Sequence, residues 1–255
     1  MKTTTRRLFL IGGCDLEMLT IKKMLEGRND CVVMDKHLQW DNAHLSAYQD
    51  ELVRFVDYNI YGIELQEDIS CPPNYHRIDH HNDWADKPSS LEQVAEVLEM
   101  ELTHYQQLVA ANDKGYIPAM KALGASEEEI DDIRKKDRTA QGVTDEDDRL
   151  AEWSVCHHLS QHAGLLVVKS LTSRFSPICD RLYPYQCLLI YTDAEWMFYG
   201  EGTAELVKLL AKDILQKKVF HGGGNNGYIG TVQHAYDWKE IEQFVNKVIK
   251  EYEHV

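Results

Sequence analysis

Asp79-His80-His81 puts one carboxylate and two imidazoles in a row, inside Tyr75-His76-Arg77-Ile78-Asp79-His80-His81-Asn82. Carboxylate and imidazole oxygen and nitrogen donors together suit Mn²⁺, Zn²⁺ or Fe²⁺. The triad comes just after Tyr75 to Ile78, which reads as a short strand, and a loop leaving a strand end lets side chains converge. The same letters also suit a solvated polar loop with an accidental histidine pair, so the surrounding elements have to decide.

Those elements are read from hydrophobic patterning. Leu8 to Ile11 is a buried strand ending at Gly12-Gly13, followed by Leu16, Leu19, Ile21, Met24 and Leu25 at helical spacing. Cys31 to Met34, Leu52 to Val56 and Tyr75 to Ile78 read as three more strands, ending in Asp35, Asp57 and Asp79. Strands alternating with helical patterns predict βαβ units and a mostly parallel sheet flanked by helices. Ligands gather outside the carboxyl ends of such strands. Acids repeated there, with Asp15 after the first strand, point to a metal site.

Pro88-Ser89-Ser90 opens a long amphipathic helix with an apolar stripe from Leu91 to Leu108, ending at Ala110 to Tyr116. Asp113 is a further candidate ligand carried on that helix end; Asn-Asp-Lys-Gly is also ordinary turn chemistry. Ser126 starts another helix that runs into Arg134, Lys135 and Lys136, cations that suit either substrate phosphate or a helix C-terminus. A helix is expected over 144–162. His158 and His162 lie one turn apart on it, but no HExxH arrangement accompanies them, and they are read as polar surface rather than ligands. Strands at Leu165–Val168, Gln186–Tyr191 and Trp196–Tyr199, with helices at Ala204–Gln216 and Trp238–Glu253, build a second, smaller α/β domain. The expected division is 1–140 for the metal-binding domain, 141–164 for a connecting helix and 165–255 for the second domain.

The formal charge of the 255 residues is −15, from 27 Lys and Arg against 42 Asp and Glu. Such a balance disfavours a long nucleic-acid footprint, which needs basic surface. A small phosphorylated substrate held through cations remains compatible with it. Six cysteines without CxxC pairing predict reduced, buried thiols, and no run suits a signal peptide or a membrane span. A cytoplasmic protein is expected.

Asp79-His80-His81 at a strand end, with acids closing earlier strands, resembles the DHH phosphoesterase superfamily. Phe55-Val56-Asp57-Tyr58-Asn59 is similar to its second motif, Ser89-Ser90 to its helix start, and Gly222-Gly223-Gly224 to the glycine-rich motif of its C-terminal (DHHA1) domain. The resemblance spans most of the chain. It implies a hydrolase that uses one or two divalent ions, most plausibly Mn²⁺, to activate water against a small phosphate ester, a short oligonucleotide or a cyclic dinucleotide. By the same resemblance Asp57 bridges the ions. Asp15, Glu17, Asp79, His80 and Asp113 complete the ligands, and Asp79 and His81 serve the chemistry. Gly222, Gly223, Gly224 and Asn225 hold substrate. A homodimer is compatible with the resemblance, and no membrane partner is expected. Two departures stand out: Ile11 occupies the family's first histidine position, with Asp35 or His37 as replacements to consider, and Asn225 follows the glycines where the family continues into His. They support an alternative, a non-catalytic member that binds a nucleotide or a protein.

Overall fold

The structure, a computed structural model, describes residues 6–40, 42–223 and 227–253. The chain divides into two compact units, 1–142 and 143–255.

In the first unit β1 (Arg7–Ile11), β2 (Cys31–Asp35), β3 (Asn59–Ile63) and β4 (Tyr75–Ile78) form a parallel sheet in the order β2-β1-β3-β4. The central strand β1 is apolar at nearly every position because both its faces are covered; Leu8, Phe9 and Leu10 are fully buried. On one face Leu8, Leu10 and Ile60 pack with Leu45, Tyr48 and Leu52. The Tyr48 hydroxyl donates to the Ile11 carbonyl at 2.6 Å, which fixes the end of β1. A bundle of α1 (Leu16–Leu25), α3 (Ser90–Val97), α4 (His104–Ala122) and α5 (Glu127–Ala140) packs together around α1.

Three expectations are corrected here. The apolar run Leu52 to Val56 is not a strand: Gln49–Arg54 is helix α2, and of this run only Leu52 is buried while Val53 and Val56 are exposed. Strand β3 is the less apolar Asn59-Ile60-Tyr61-Gly62-Ile63. Next, the long helix is two helices. Ser89 and Glu92 form the capping box of α3, Glu99 turns the chain with φ +53°, and Thr103 with Gln106 caps α4. Finally, α4 does not end near Asp113 but kinks at Gly115–Tyr116 and continues to Ala122.

The second unit holds a six-stranded mixed sheet in the order β5-β6-β7-β8-β10-β9. Its strands are β5 (Leu159–His162), β6 (Leu165–Lys169), β7 (Cys187–Tyr191), β8 (Trp196–Gly200), β9 (Val219–Gly222) and β10 (Tyr228–Thr231). Only β6 and β7 pair in parallel. One face is closed by α6 (Asp145–His158) and α7 (Ser176–Leu182), the other by α8 (Thr203–Leu209), α9 (Ala211–Leu215) and α10 (Trp238–Glu253). Helix α6 therefore belongs to this unit and stops at His158, because Leu159–His162 pairs with Leu165–Val168 as an edge strand. That breaks the assumed helical spacing of His158 and His162; the first faces the Lys169 carbonyl and the second Glu253. Trp196 and Phe198 are core, packed toward α10.

Two of the six cysteines, Cys179 and Cys187, are buried, whereas Cys71 and Cys156 are exposed, so the thiols are free but not uniformly interior. Among the described residues no helix is long and apolar enough to cross a membrane.

Candidate metal centre

The carboxyl edge of the parallel sheet collects the acids and imidazoles. The chain leaves β1 through Gly12, where an added Cβ would stand 2.6 Å from the carbonyl oxygens of Ile63 and Glu64. No side chain fits between β1 and the end of β3 at that point. Gly12→Ala is expected to cost about 2–3 kcal/mol in a urea melt and to displace Glu64, since overpacking forces backbone to move; an unaltered melt would contradict the close approach.

Asp15 then caps α1, its Oδ1 accepting from the Met18 N–H at 2.8 Å. Glu17 lies in the first turn and is buried; its Oε1 accepts from the Leu91 N–H at 2.9 Å, at the start of α3. Glu64 follows β3 with φ +51°, and its Oε1 accepts from the Ser90 hydroxyl at 2.6 Å. His80 and His81 leave β4 with their rings 4.3 Å apart. Asp113 arrives on α4, two residues before the kink.

Around His80 Nε2 stand Asp113 Oδ2 at 2.6 Å, Glu64 Oε1 at 3.4 Å and Glu17 Oε2 at 3.6 Å, while His81 Nε2 lies 3.1 Å from Glu64 Oε2. Donor atoms of Glu64, His80, His81 and Asp113 all fall within 4.8 Å of one another. Glu17 Oε2, Glu64 Oε2, His80 Nε2 and Asp113 Oδ2 are all buried and none finds a partner in hydrogen-bond geometry. Buried polar atoms are almost always satisfied, and these four, left with only the charge contacts just given, fit a cation held among them. The donor set, imidazole plus carboxylate, suits a divalent transition ion.

The electrostatics agree. Burial pushes Asp15 well above the carboxylate range, and the charges of Asp113 and Glu64 add to it. Burial, with Asp113 and Glu64, lifts Glu17 to about 8 against the pull of the nearby His80 ring. Glu64 goes the other way: burial raises its carboxyl, but His80, His81 and Ser90 together hold it at about 2. Burial opposes the charge on His80, yet Asp113, Glu17 and Glu64 raise it to about 12; His81 moves in the same direction, upward, through Glu64 against its own burial. Four acids concentrated on two imidazoles thus demand positive charge, which protons supply when an ion does not.

Of the residues singled out from sequence, Asp15, Glu17, His80, His81 and Asp113 come together. Asp57 does not. It is exposed two residues before the amino end of β3, a strand that spans roughly 16 Å at a 3.3 Å rise per residue before Glu64 is reached. Asp79 turns away as well: its Oδ1 accepts from the His81 N–H at 2.9 Å and its Oδ2 pairs with Arg77 at 3.3 Å. Asp35 pairs with Lys22 and His37 at the edge strand β2, and neither it nor His37 replaces the absent first-motif histidine. Arg134 is not a solvated helix end but is buried beside Asp137. Gly222 closes β9 and Gly223 turns with φ +76°, both in the second unit; Gly224 and Asn225 lie outside the described residues. The residue sequence reasoning missed is Glu64. Its signal was there: a single acid directly after the β-forming Ile60-Tyr61-Gly62-Ile63.

The first unit thus gathers carboxylates and imidazoles at the carboxyl edge of a parallel sheet, and a second α/β unit follows it in the chain. No protein-family model matches the chain and no curated protein matches it. Among solved structures, a DHH domain described as belonging to a family of ribosomal proteins superposes with a TM-score of 0.55 at 12% identity, over 97% of this chain and 87% of that one. A pGpG-specific phosphodiesterase from Vibrio cholerae superposes with a TM-score of 0.50 at 13% identity, over 98% and 99%. The chain has the DHH fold over almost its whole length.

Proposed function

We propose that this protein is a divalent-metal-dependent phosphohydrolase acting on a small phosphate ester, a short oligonucleotide or a cyclic dinucleotide. The observation that carries this reading is the cluster of donor atoms from Glu64, His80, His81 and Asp113, all within 4.8 Å of one another. Glu64, His80 and Asp113 would hold the ion, with Glu17 beside them, and His81 is kept for the chemistry. Bound there, a divalent ion supplies Lewis acidity and a water nucleophile active near neutral pH. Ser90 and the Leu91 N–H fix the Glu64 and Glu17 carboxylates so that their free oxygens stay aimed at the cluster. His81 is the cluster member most open to solvent, its side chain 43% exposed, with its Nε2 3.1 Å from Glu64 Oε2. It is the group placed to meet a substrate phosphate and to protonate a leaving oxygen.

The ion we expect is Mn²⁺, and the second unit, through Gly222 and Gly223, is the part we assign to substrate. The net charge of −15 favours a short substrate over a long nucleic acid. A linear dinucleotide is the first to try, because the similar Vibrio cholerae protein is described as acting on one. A second reading is a protein that binds such a ligand without cleaving it. Two observations favour it: Ile11 has no donor side chain and its carbonyl is engaged by Tyr48, and Asp79 is paired with Arg77.

Calorimetric titration of Mn²⁺ into metal-free protein, followed by hydrolysis of a linear dinucleotide, separates the two. Uptake of Mn²⁺ with Mn²⁺-dependent turnover is the expected result. Uptake without turnover on any phosphodiester, or no uptake at all, overturns the hydrolase and leaves the binding reading, which titration of the same dinucleotide then tests.

A further inference from the structure

Helix α5 contributes no ligand, yet it buries an arginine and an aspartate directly behind the cluster. Side chains of Arg134 and Asp137 are only 9% and 7% exposed and pair at 2.8 Å. From this pair contacts run to both ligand-bearing segments. Asp137 Oδ1 accepts from the Leu16 N–H at 3.3 Å, between Asp15 and Glu17 in sequence. The Arg134 guanidinium donates to Asn112 Oδ1 at 2.9 Å, next to Asp113. The same guanidinium lies 4.6 Å from the ring centroid of Tyr116, and Gln141 donates to Asp137 Oδ2 at 3.1 Å.

Tyr116 itself is held at φ +58°, ψ −153°, a region that a side chain bearing a ring rarely adopts. Such conformations persist only where the surroundings over-determine them, and they cluster at functional sites. Here the strained residue forms the kink that ends the first half of α4, three residues after Asp113. A buried ion pair is a poor source of stability, because desolvating both charges offsets their attraction. What this one does supply is a fixed distance between α1 and the kink in α4.

We propose that Arg134 and Asp137 are positioning residues that hold the Asp15–Glu17 turn and the Asn112–Asp113 turn against each other, and so set the affinity of the cluster for its ion. The proposal rests on the metal reading above. It requires a specific outcome that general stabilisation does not: the cluster should loosen even where the fold does not weaken.

The test compares wild type, the double variant Arg134→Met with Asp137→Leu, and Asn112→Ala. The first replaces the ion pair by apolar side chains, a change that leaves folded stability near neutral in comparable pairs. The second removes one Arg134 contact and leaves the pair intact. For each, the thermal midpoint of the metal-free protein is measured, then Mn²⁺ uptake by calorimetry and the visible absorption of bound Co²⁺. We expect Mn²⁺ affinity to fall about 10- to 100-fold in the double variant, the range for lost outer contacts, with a changed Co²⁺ spectrum and a metal-free midpoint close to wild type. Asn112→Ala should show a smaller fall in the same direction. Folded variants with unchanged affinity and spectrum overturn the proposal. If the double variant does not fold, Asn112→Ala alone decides, and unaltered affinity there is also a refutation. Wild type that takes up neither Mn²⁺ nor Co²⁺ removes the metal reading itself, a different failure.

Discussion

Glu64→Gln should abolish Mn²⁺ uptake at the cluster, and Asp57→Asn should leave it as in wild type. Glu64 is buried, its Oε2 has no hydrogen-bond partner, and its two oxygens stand 3.1–3.4 Å from the imidazoles of His81 and His80. An amide keeps the shape but removes the charge and puts two N–H donors beside groups that need an acceptor. Loss of an outer contact alone weakens a metal about 10- to 100-fold, so loss of this carboxylate is expected to exceed about 100-fold. The metal-free variant should also unfold more readily at neutral pH. Glu64 is held at about 2 against an ordinary 4.5, so it contributes stability that is present above pH 4.5 and is lost as pH falls toward 2. Asp57 is exposed at the far end of β3, and a surface substitution there changes stability by no more than about 0.5 kcal/mol. Calorimetric titration of both variants reads the result. Retained uptake in Glu64→Gln with loss in Asp57→Asn would mean that β3 is not Asn59–Ile63.

That pair of variants also marks where sequence and structure part. The strands β1 and β2 and the core strands of the second α/β unit were legible because their apolar runs are continuous and fully or half buried; β4, Tyr75-His76-Arg77-Ile78, was legible only as the short segment before Asp79. Asp79-His80-His81 was legible as a site because its residue types are rare together, although only the histidines face the cluster. The failure at β3 has a physical cause. A short apolar run is ambiguous between strand and helix, and Leu52-Val53-Arg54-Phe55-Val56 looks the better strand than Asn59-Ile60-Tyr61-Gly62-Ile63. What makes the second segment a strand is tertiary. Gly62 lies under the Tyr75 ring, where an added Cβ would meet the phenol oxygen at 2.0 Å, and Ile60 and Ile63 are wholly buried between neighbouring elements. Placing the strand on the earlier run moved the expected acid from Glu64 to Asp57. Arg134 misled for a similar reason: a cation in the charged run Arg134-Lys135-Lys136 reads as solvent-facing, and only the helix rotation turns Arg134 inward while Lys135 and Lys136 remain exposed.

Mn²⁺ binding at pH 7 should release protons, since metal ligands must shed theirs. In metal-free protein Glu17, raised to about 8, and His80, raised to about 12, are both protonated at pH 7. Both shifts come from the same crowding. Burial and the charges of Asp113 and Glu64 disfavour an ionised Glu17, and the surrounding acids favour a charged His80. A divalent ion among them replaces the protons' charge, so Glu17 ionises and the His80 nitrogen becomes a donor. The direction follows: acid competes with the ion, and uptake should weaken steeply as pH is lowered from about 8 to about 6. Without the ion the two groups act oppositely to the usual carboxylate case. Their folded-state values are raised, so their contributions are fully present below the ordinary 4.5 and 6.5 and are lost as pH rises through about 8 and about 12. Bound metal should therefore stabilise the protein most on the alkaline side of neutrality. The measurement is calorimetry in buffers of different ionisation enthalpy, where the observed heat against buffer enthalpy has a slope equal to the protons released. Wild type should show net proton release, and Glu17→Gln a smaller release. A slope near zero in wild type would show that Glu17 and His80 are already deprotonated without metal, and the electrostatic account of the cluster would fall with it.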